Sequence, residues 1–349
     1  MTGARAESAA KKPTIRDVAE RAGVSIGTVS NVLNGAIPVS DQRRAAVVEA
    51  IEALGFLPNR VAQSLRRRQS RVVGLLATGT SSAYFAALLD SFEDIAVRQG
   101  YEVMQVLSRN DPDLELRRVR ALLERQVDGL IMVPTASPGR AFDQIAEAGV
   151  PAVMVDRASP DPRFDYVTMD NLGAMDASVR GLAQLGHRRL LYVVRWPELV
   201  TTQERIAAFR AMSAALGIAG EVMRRGPEDA AFLEQVRGAM ARTDRPSAII
   251  ASNSDLALAL LRVLKALALR IPADVSVLAF DEPVWSEVMT PPLAAVRHPV
   301  EAIARSAWEI LIARMESGAP ASQRIVHAAE VVMRESIGTL GGDPHGLPI

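Results

Sequence analysis

A chain of 349 residues, 49% hydrophobic and 23% charged, has room for a small module plus a substantial core, two or three units in all, with the make-up of an ordinary globular protein. It contains no cysteine, which excludes disulfides, thiolate metal sites and a cysteine nucleophile and fits a reducing cytoplasm, and no apolar run reaches the length of a membrane span. Formal net charge is zero, yet residues 1–71 hold 12 Lys+Arg against 6 Asp+Glu and the remainder 28 against 34, so a basic N-terminal end adjoins an acidic body, the footprint of one end meeting phosphates.

Residues 1–12 are polar and Ala-rich without the apolar segment of a secretory signal, and read as a flexible tail. From Thr14 to Asn34 the pattern predicts two short helices joined by a tight turn at Gly23. Thr14 is placed to cap the first helix with Asp17 three residues on, and Ile15, Val18, Ala19 and Ala22 form one apolar face. Ser25 is the expected cap of the second helix, whose inner side is Val29, Val32 and Leu33. Ile26, Gly27, Thr28, Ser30 and Asn31 remain on its outer side, and side chains so small or polar suit a helix pressed into a DNA groove. A third helix is expected over Ser40–Leu54, with Ala46, Val47, Ala50, Ile51 and Leu54 inward and Gly55 ending it. Residues 55–71 have too little apolar surface for a core and read as a linker; Arg66, Arg67 and Arg68 are either a solvated tether or phosphate contacts.

From Val72 onward, apolar runs alternate with helical patterns. Strands are predicted at Val72–Ala77, Tyr101–Leu107, Gly129–Val133, Ala152–Val155, Leu190–Val194, Ser247–Ala251 and Val275–Phe280. Helices are predicted at Tyr84–Gln99, Leu114–Arg125, Phe142–Ala148, Gly173–Leu185, Gln203–Leu216, Ala230–Ala241 and Leu256–Leu267. Such alternation implies βαβ units and parallel sheets. The body is therefore two α/β halves of similar make, with a natural ligand site in the cleft at the carboxyl ends of the strands.

Enzymatic chemistry finds no support, and no catalytic residue, metal site or cofactor is predicted. There is no Gly-x-Gly-x-x-Gly after the first strand and no phosphate-binding P-loop. The four histidines lack metal-ligand spacing, and no Gly-x-Ser-x-Gly elbow occurs. His187 reads as ordering a helix-to-strand turn. Polar pairs do recur at the ends of predicted strands: Asp156 and Arg157, Asp170 and Asn171, Asn253 and Ser254, Asp281 and Glu282. One such Asp is as readily a helix cap as a ligand contact, but four pairs in one topological position favour a binding cleft for a hydroxyl-rich ligand.

On these residues the chain resembles the LacI/GalR family of bacterial transcription regulators. The resemblance runs from Pro13 to about Gly338. It is carried by Thr14–Asn34 and by Pro58-Asn59-Arg60-Val61-Ala62-Gln63-Ser64-Leu65, with support from Val127–Ile131, Asp170-Asn171, Leu185–Arg189, Ile271–Val277 and Phe280-Asp281. It implies an all-α helix-turn-helix DNA-binding domain over 13–57, a hinge helix over 58–71 and a two-lobed α/β periplasmic-binding-protein-like domain with parallel sheets over 72–338. The first lobe would take about 72–167 and 300–327, the second about 168–299 and 328–338, leaving 339–349 as a tail. DNA contacts would come from Thr14, Ser25, Ile26, Gly27, Thr28, Ser30, Asn31, Asn34 and Asn59, with Ala62 and Leu65 in the minor groove, Leu65 as the wedge that kinks the duplex. Effector contacts would fall on Tyr84, Phe85, Asp156, Arg157, Arg205, Asn253, Asp281 and Trp285.

The implied protein is a cytoplasmic, nucleoid-associated homodimer that binds a pseudo-palindromic double-stranded operator and answers to a small effector, a sugar or sugar derivative being favoured over a nucleobase. Repression of a carbohydrate-utilisation operon is the leading expectation. A sugar-binding or sugar-modifying protein is the remote alternative. Three departures from the family pattern stand out. Ile26 and Gly27 occupy base-reading positions that often carry larger polar side chains. Ser254 replaces an acidic or amide residue, and Arg195-Trp196-Pro197 replaces a small turn containing glycine.

Overall fold

The computed structural model describes residues 13–34, 38–56, 69–79, 82–158, 161–226, 228–317 and 322–340. The chain divides into two units, Met1–Ser70 and Arg71–Ile349, each with its own core.

The first unit packs three helices, α1 (Ile15–Arg21), α2 (Ile26–Asn34) and α3 (Asp41–Leu54). Thr14 and Asp17 form the expected reciprocal cap: Asp17 N–H donates to Thr14 Oγ1, and Thr14 N–H donates to Asp17 Oδ2 at 2.7 Å. Gly23 and Gly55 hold the two turns with φ of +64° and +59°, a region that glycine enters without steric cost. Val18, Ala19, Val29, Val47 and Ala50 make the core, joined by Phe56, which the sequence pattern did not single out.

The second unit holds two six-stranded sheets. The first sheet has the order β11-β5-β4-β3-β1-β2, built from β1 (Val72–Ala77), β2 (Glu102–Leu107), β3 (Gly129–Met132), β4 (Ala152–Val155), β5 (Asp165–Met169) and β11 (Arg324–His327). The second has the order β12-β10-β9-β8-β6-β7, from β6 (Arg189–Val194), β7 (Ala219–Arg224), β8 (Ala248–Ala251), β9 (Ser276–Phe280), β10 (Ala294–Arg297) and β12 (Glu330–Val332). All pairings are parallel except β10 with β12. The helices are α4 (Ala83–Arg98), α5 (Pro112–Glu124), α6 (Gly139–Ala148), α7 (Asn171–Gln184), α8 (Val200–Ala215), α9 (Asp229–Met240), α10 (Ser254–Ala266) and α11 (Val300–Ser317).

Every strand and helix expected from the pattern forms, with ends shifted by a few residues. The pattern missed β5, in which Asp165 and Thr168 interrupt the apolar run, and β7, an edge strand of exposed and half-buried residues. It also missed the elements beyond Phe280: a 3-10 turn (Val284–Ser286), β10, α11, β11 and β12. Strand β11 pairs with β5 and α11 packs on α4 and on β3 to β5, so the chain returns to the first lobe; β12 then pairs with β10 in the second. One buried apolar cluster runs through both lobes, from Leu75 and Phe92 to Tyr192, Phe209 and Phe280. Two further clusters fill the outer sides, one around Val119 and Phe142 and the other around Phe232 and Leu260.

Candidate functional site

In the first unit, the outer face of α2 carries very little. Ser25 Oγ accepts the Thr28 N–H at 3.1 Å and lies 3.0 Å from Thr28 Oγ1, so both hydroxyls serve the helix cap. Ile26 is 43% exposed. Gly27 faces open space: a Cβ built there would meet only Ser25 Oγ, at 3.6 Å. Ser30 and Asn31 are half-buried on the same helix, and Asn34 is its last residue. Asn59, Ala62 and Leu65 lie outside the described residues.

In the second unit, loops at the carboxyl ends of strands from both sheets line a cleft of ≈130 Å³. From the first lobe come Tyr84 and Phe85 at the start of α4, Asn110 after β2, and Asp156 and Arg157 after β4. From the second come Trp196 after β6, Arg205 on α8, Asn253 and Asp255 after β8, Asp281 after β9 and His298 after β10. Two larger grooves, of ≈430 and ≈560 Å³, open on the second lobe's surface, the first at the start of β6 and β7, the second along α9 and α10. The cleft is preferred because it alone of the three draws loops from both sheets at the strand ends where open α/β sheets hold ligands.

Two aspartates occupy equivalent places, after β4 and after β9, and both have left-handed backbones, with φ of +67° at Asp156 and +94° at Asp281. Such conformations cost about 1–3 kcal/mol each and persist only where the surroundings impose them. Asp281 Oδ2 accepts from Ser254 N at 3.2 Å and from Ser254 Oγ at 3.3 Å, so Ser254 anchors the aspartate. Its Oδ1 lies 3.0 Å from His298 Nε2, a close approach out of line for a hydrogen bond. Asp156 Oδ2 is 3.6 Å from Arg157 Nε.

The two arginines are held differently. Arg157 Nη1 donates to Asn110 Oδ1 at 2.7 Å and to the Pro134 carbonyl at 2.8 Å. Behind it, the fully buried Glu115 carboxylate accepts from Thr135 N at 2.7 Å and Thr135 Oγ1 at 2.9 Å. Burial pushes the Glu115 carboxyl up to about 7 against the pull of these hydrogen bonds and of Arg157; burial likewise lowers the pKa of Arg157, against the pull of Asp156 and Glu115. Arg205 Nε donates to Asn171 Oδ1 at 2.8 Å, its Nη1 to the Ser252 carbonyl at 3.2 Å, and its guanidinium lies 4.4 Å from the Phe280 ring centre.

Among the described residues, four around the cleft carry buried polar atoms without an aligned hydrogen-bond partner in the protein: Ser82 Oγ, Tyr84 Oη, Arg157 Nε and the ring nitrogens of His298. Burial first, then the carboxylates of Asp156 and Asp281, raises the Tyr84 pKa well above its usual value, so its hydroxyl stays a donor. Unmet polar groups cost free energy when buried, and a ligand with hydroxyl or carbonyl oxygens would relieve them.

Seven of the eight residues expected at the effector site line this cleft. Trp285 is not among its lining residues: it lies on the 3-10 turn and packs, half-buried, against the second lobe's outer core. Asp170 caps α7 through Gly173 N at 2.8 Å, and Glu282 pairs with Arg297 and Arg334. His298 and Asn110 were missed, the first because β10 itself was missed, the second because it lies beyond β2 without a partner pair to mark it. His187 is buried, with Ser247 Oγ at 2.9 Å and the Gly338 carbonyl at 3.0 Å from its ring nitrogens, a turn-ordering arrangement. Among the described residues no helix is long and apolar enough to cross a membrane.

Residues 14–59 match the family "Bacterial regulatory proteins, lacI family", and residues 179–337 match the "Periplasmic binding protein-like domain". The HTH-type transcriptional regulator CelR of Thermobifida fusca is 30% identical, over 93% of this chain and 98% of that protein. Among solved structures, the lac repressor dimer bound to operator and the anti-inducer ONPF superposes with a TM-score of 0.83 at 25% identity, covering 94% of this chain and all of that one. A transcriptional regulator CelR–cellobiose complex superposes at 0.68 with 27% identity, covering 93% of this chain and 99% of that one.

Proposed function

The chain belongs to the lacI family of bacterial regulatory proteins, and from that premise we propose that residues 13–57 read an operator, that 58–71 couple the reading head to the body, and that the cleft of the body takes a sugar-class effector. It is a ligand-responsive, DNA-binding transcriptional regulator, and repression is the proposed outcome. Two copies would bind one pseudo-palindromic operator, as in the lac repressor dimer on its operator. Ile26, Thr28 and Asn31 would face the major groove, and Leu65 would wedge the minor groove. The protein would act in the cytoplasm on the nucleoid, and no reaction is assigned to it.

The observation that carries the effector assignment is the convergence of the buried polar groups Tyr84 Oη, Arg157 Nε and the His298 ring on one cleft beside Asp156 and Asp281. Ligand oxygens would satisfy the donors, and the carboxylates would accept from ligand hydroxyls. Because the cleft is built from both lobes, a ligand that prefers one lobe arrangement shifts the population toward it and so changes DNA affinity by its differential affinity for the two states.

The test is an operator-selection experiment with the full chain, followed by gel-shift titrations of the selected duplex against a panel of sugars. One sugar should change DNA affinity, and Asp281→Ala should abolish that change while leaving operator binding in place. Absence of any sequence preference would overturn the reading of the head. A sugar response that survives Asp281→Ala would remove Asp281 from the site.

A further inference from the structure

The turn after β6 lines the cleft through Trp196 and Leu199. Trp196 follows Val194 and Arg195 and lines the cavity, half-buried. The Arg195 guanidinium carbon lies over its ring, 4.6 Å from the indole centre. Leu199 N–H donates back to the Trp196 carbonyl at 3.3 Å, and Leu199, itself 7% exposed, lines the same wall. The first lobe contributes aromatic faces of its own, Tyr84 and Phe85, with ring centres 5.1 Å apart.

What remains between these walls is ≈130 Å³. For scale, an enclosed cavity of about 150 Å³ accepts benzene, a single six-membered ring, whereas sites for larger ligands run to about 300–1,000 Å³. The lining suits one ring bearing hydroxyls: Trp196, Tyr84 and Phe85 supply aromatic surface, and Asp156, Asp281, Arg157 and Arg205 supply charged partners. The structurally similar CelR is known with cellobiose, which has two rings.

We infer that Trp196 closes the cleft to a single sugar ring, so that the effector is a monosaccharide or a one-ring derivative of one, and disaccharides are shut out by the indole. This rests on the assignment of the cleft as the effector site.

The full chain, Trp196→Ala and Trp196→Phe would be compared by thermal shift and calorimetry against glucose, galactose, ribose and glucuronate and against cellobiose, lactose and sucrose. Circular dichroism reports whether each variant is folded, and Trp196→Leu replaces the alanine variant if that one is not. At least one monosaccharide should bind the natural chain while no disaccharide does. Trp196→Ala should shift the ratio of disaccharide to monosaccharide affinity by about tenfold or more, and Trp196→Phe should keep the natural preference. A disaccharide bound by the natural chain as tightly as its monosaccharide, or an unchanged ratio in Trp196→Ala, would overturn the inference and leave the effector site standing. Silence of all three proteins toward every sugar would instead bring down the sugar-cleft assignment, and this inference with it.

Discussion

The two lobes of the body share a strand order, β11-β5-β4-β3-β1-β2 in one and β12-β10-β9-β8-β6-β7 in the other, yet they equip the cleft differently. Each supplies an aspartate after its corresponding strand, Asp156 after β4 and Asp281 after β9, both in left-handed conformations. Each also supplies an arginine. Arg157 is embedded among charges, beside Asp156 and coupled to the buried Glu115, whereas Arg205 is cradled by an amide, a carbonyl and an aromatic face. Both arginines line the cleft, but Arg157 is also tied into a buried charge network, whereas Arg205 is held by neutral groups.

Removing the two arginines should separate these roles. Arg157→Ala leaves Asp156 and Glu115 without their buried cation, and breaking a buried ion pair from one side costs about 3–5 kcal/mol. Urea unfolding should register that loss whether or not a sugar is present. Arg205→Ala removes no partner from a buried carboxylate, so its loss of stability should be smaller and its loss of effector affinity larger. Equal stability losses in the two variants would erase the distinction drawn between the lobes.

Glu115 sharpens the same contrast through pH. Its native pKa is about 7 against 4.5 for the free side chain, so the protonated form is favoured on folding and about 3 kcal/mol of stability depends on it. That contribution is complete below pH 4.5, drains away as the unfolded chain ionises between 4.5 and about 7, and is gone above. Glu115→Gln keeps an acceptor for Thr135 and cannot ionise, so the fall in urea midpoint across that window should flatten. An unchanged pH profile would show that Glu115 is ionised in the fold throughout.

Arg205→Lys asks for less. Lysine keeps the charge but cannot bond Asn171 and Ser252 at once with a planar fork. About 1.5–3 kcal/mol is typical of a charge-assisted hydrogen bond, so a ten- to hundredfold weaker effector response is expected, read in gel shifts with and without sugar. The corresponding Arg157→Lys should lower the melting temperature as well as the effector response.

The sequence made the parallel strands and the capped helices legible because their signals are local: unbroken apolar runs such as Val72–Ala77, and a cap such as Thr14 with Asp17. It made four of the seven cleft residues legible, Asp156, Arg157, Asn253 and Asp281, because polar pairs after buried strands stand out, while Tyr84, Phe85 and Arg205 came from the family resemblance. His298 was not legible, because β10 is four residues long and its neighbours in the sheet, β9 and β12, are distant in the chain. The packing of Trp285 was not legible either: a large aromatic on a loop looks exposed until the turn at Val284–Ser286 sets it against the second lobe's outer core. Asn171, which aims Arg205, reads in sequence as one of a capping pair.

The smallest expected effect lies in the reading head, which inverts the logic of the cleft. Where the cleft gathers unmatched polar groups, α2 offers almost none: Ser25 and Thr28 are engaged with each other, Gly27 has no side chain, and Ile26 is the exposed apolar residue at the helix start. Ile26 can discriminate a base only by apolar contact, and in the major groove the distinctive apolar feature is the thymine methyl. Burying one such group is worth about 0.8 kcal/mol, or about fourfold in affinity. Replacing thymines of the selected operator one at a time with deoxyuridine should therefore weaken binding about fourfold at one symmetric position per half-site, and Ile26→Ala should remove that sensitivity. A deoxyuridine scan that is flat, or one whose sensitive position persists in Ile26→Ala, would mean that Ile26 reads no base, leaving direct readout on this helix to Asn31 and its neighbours.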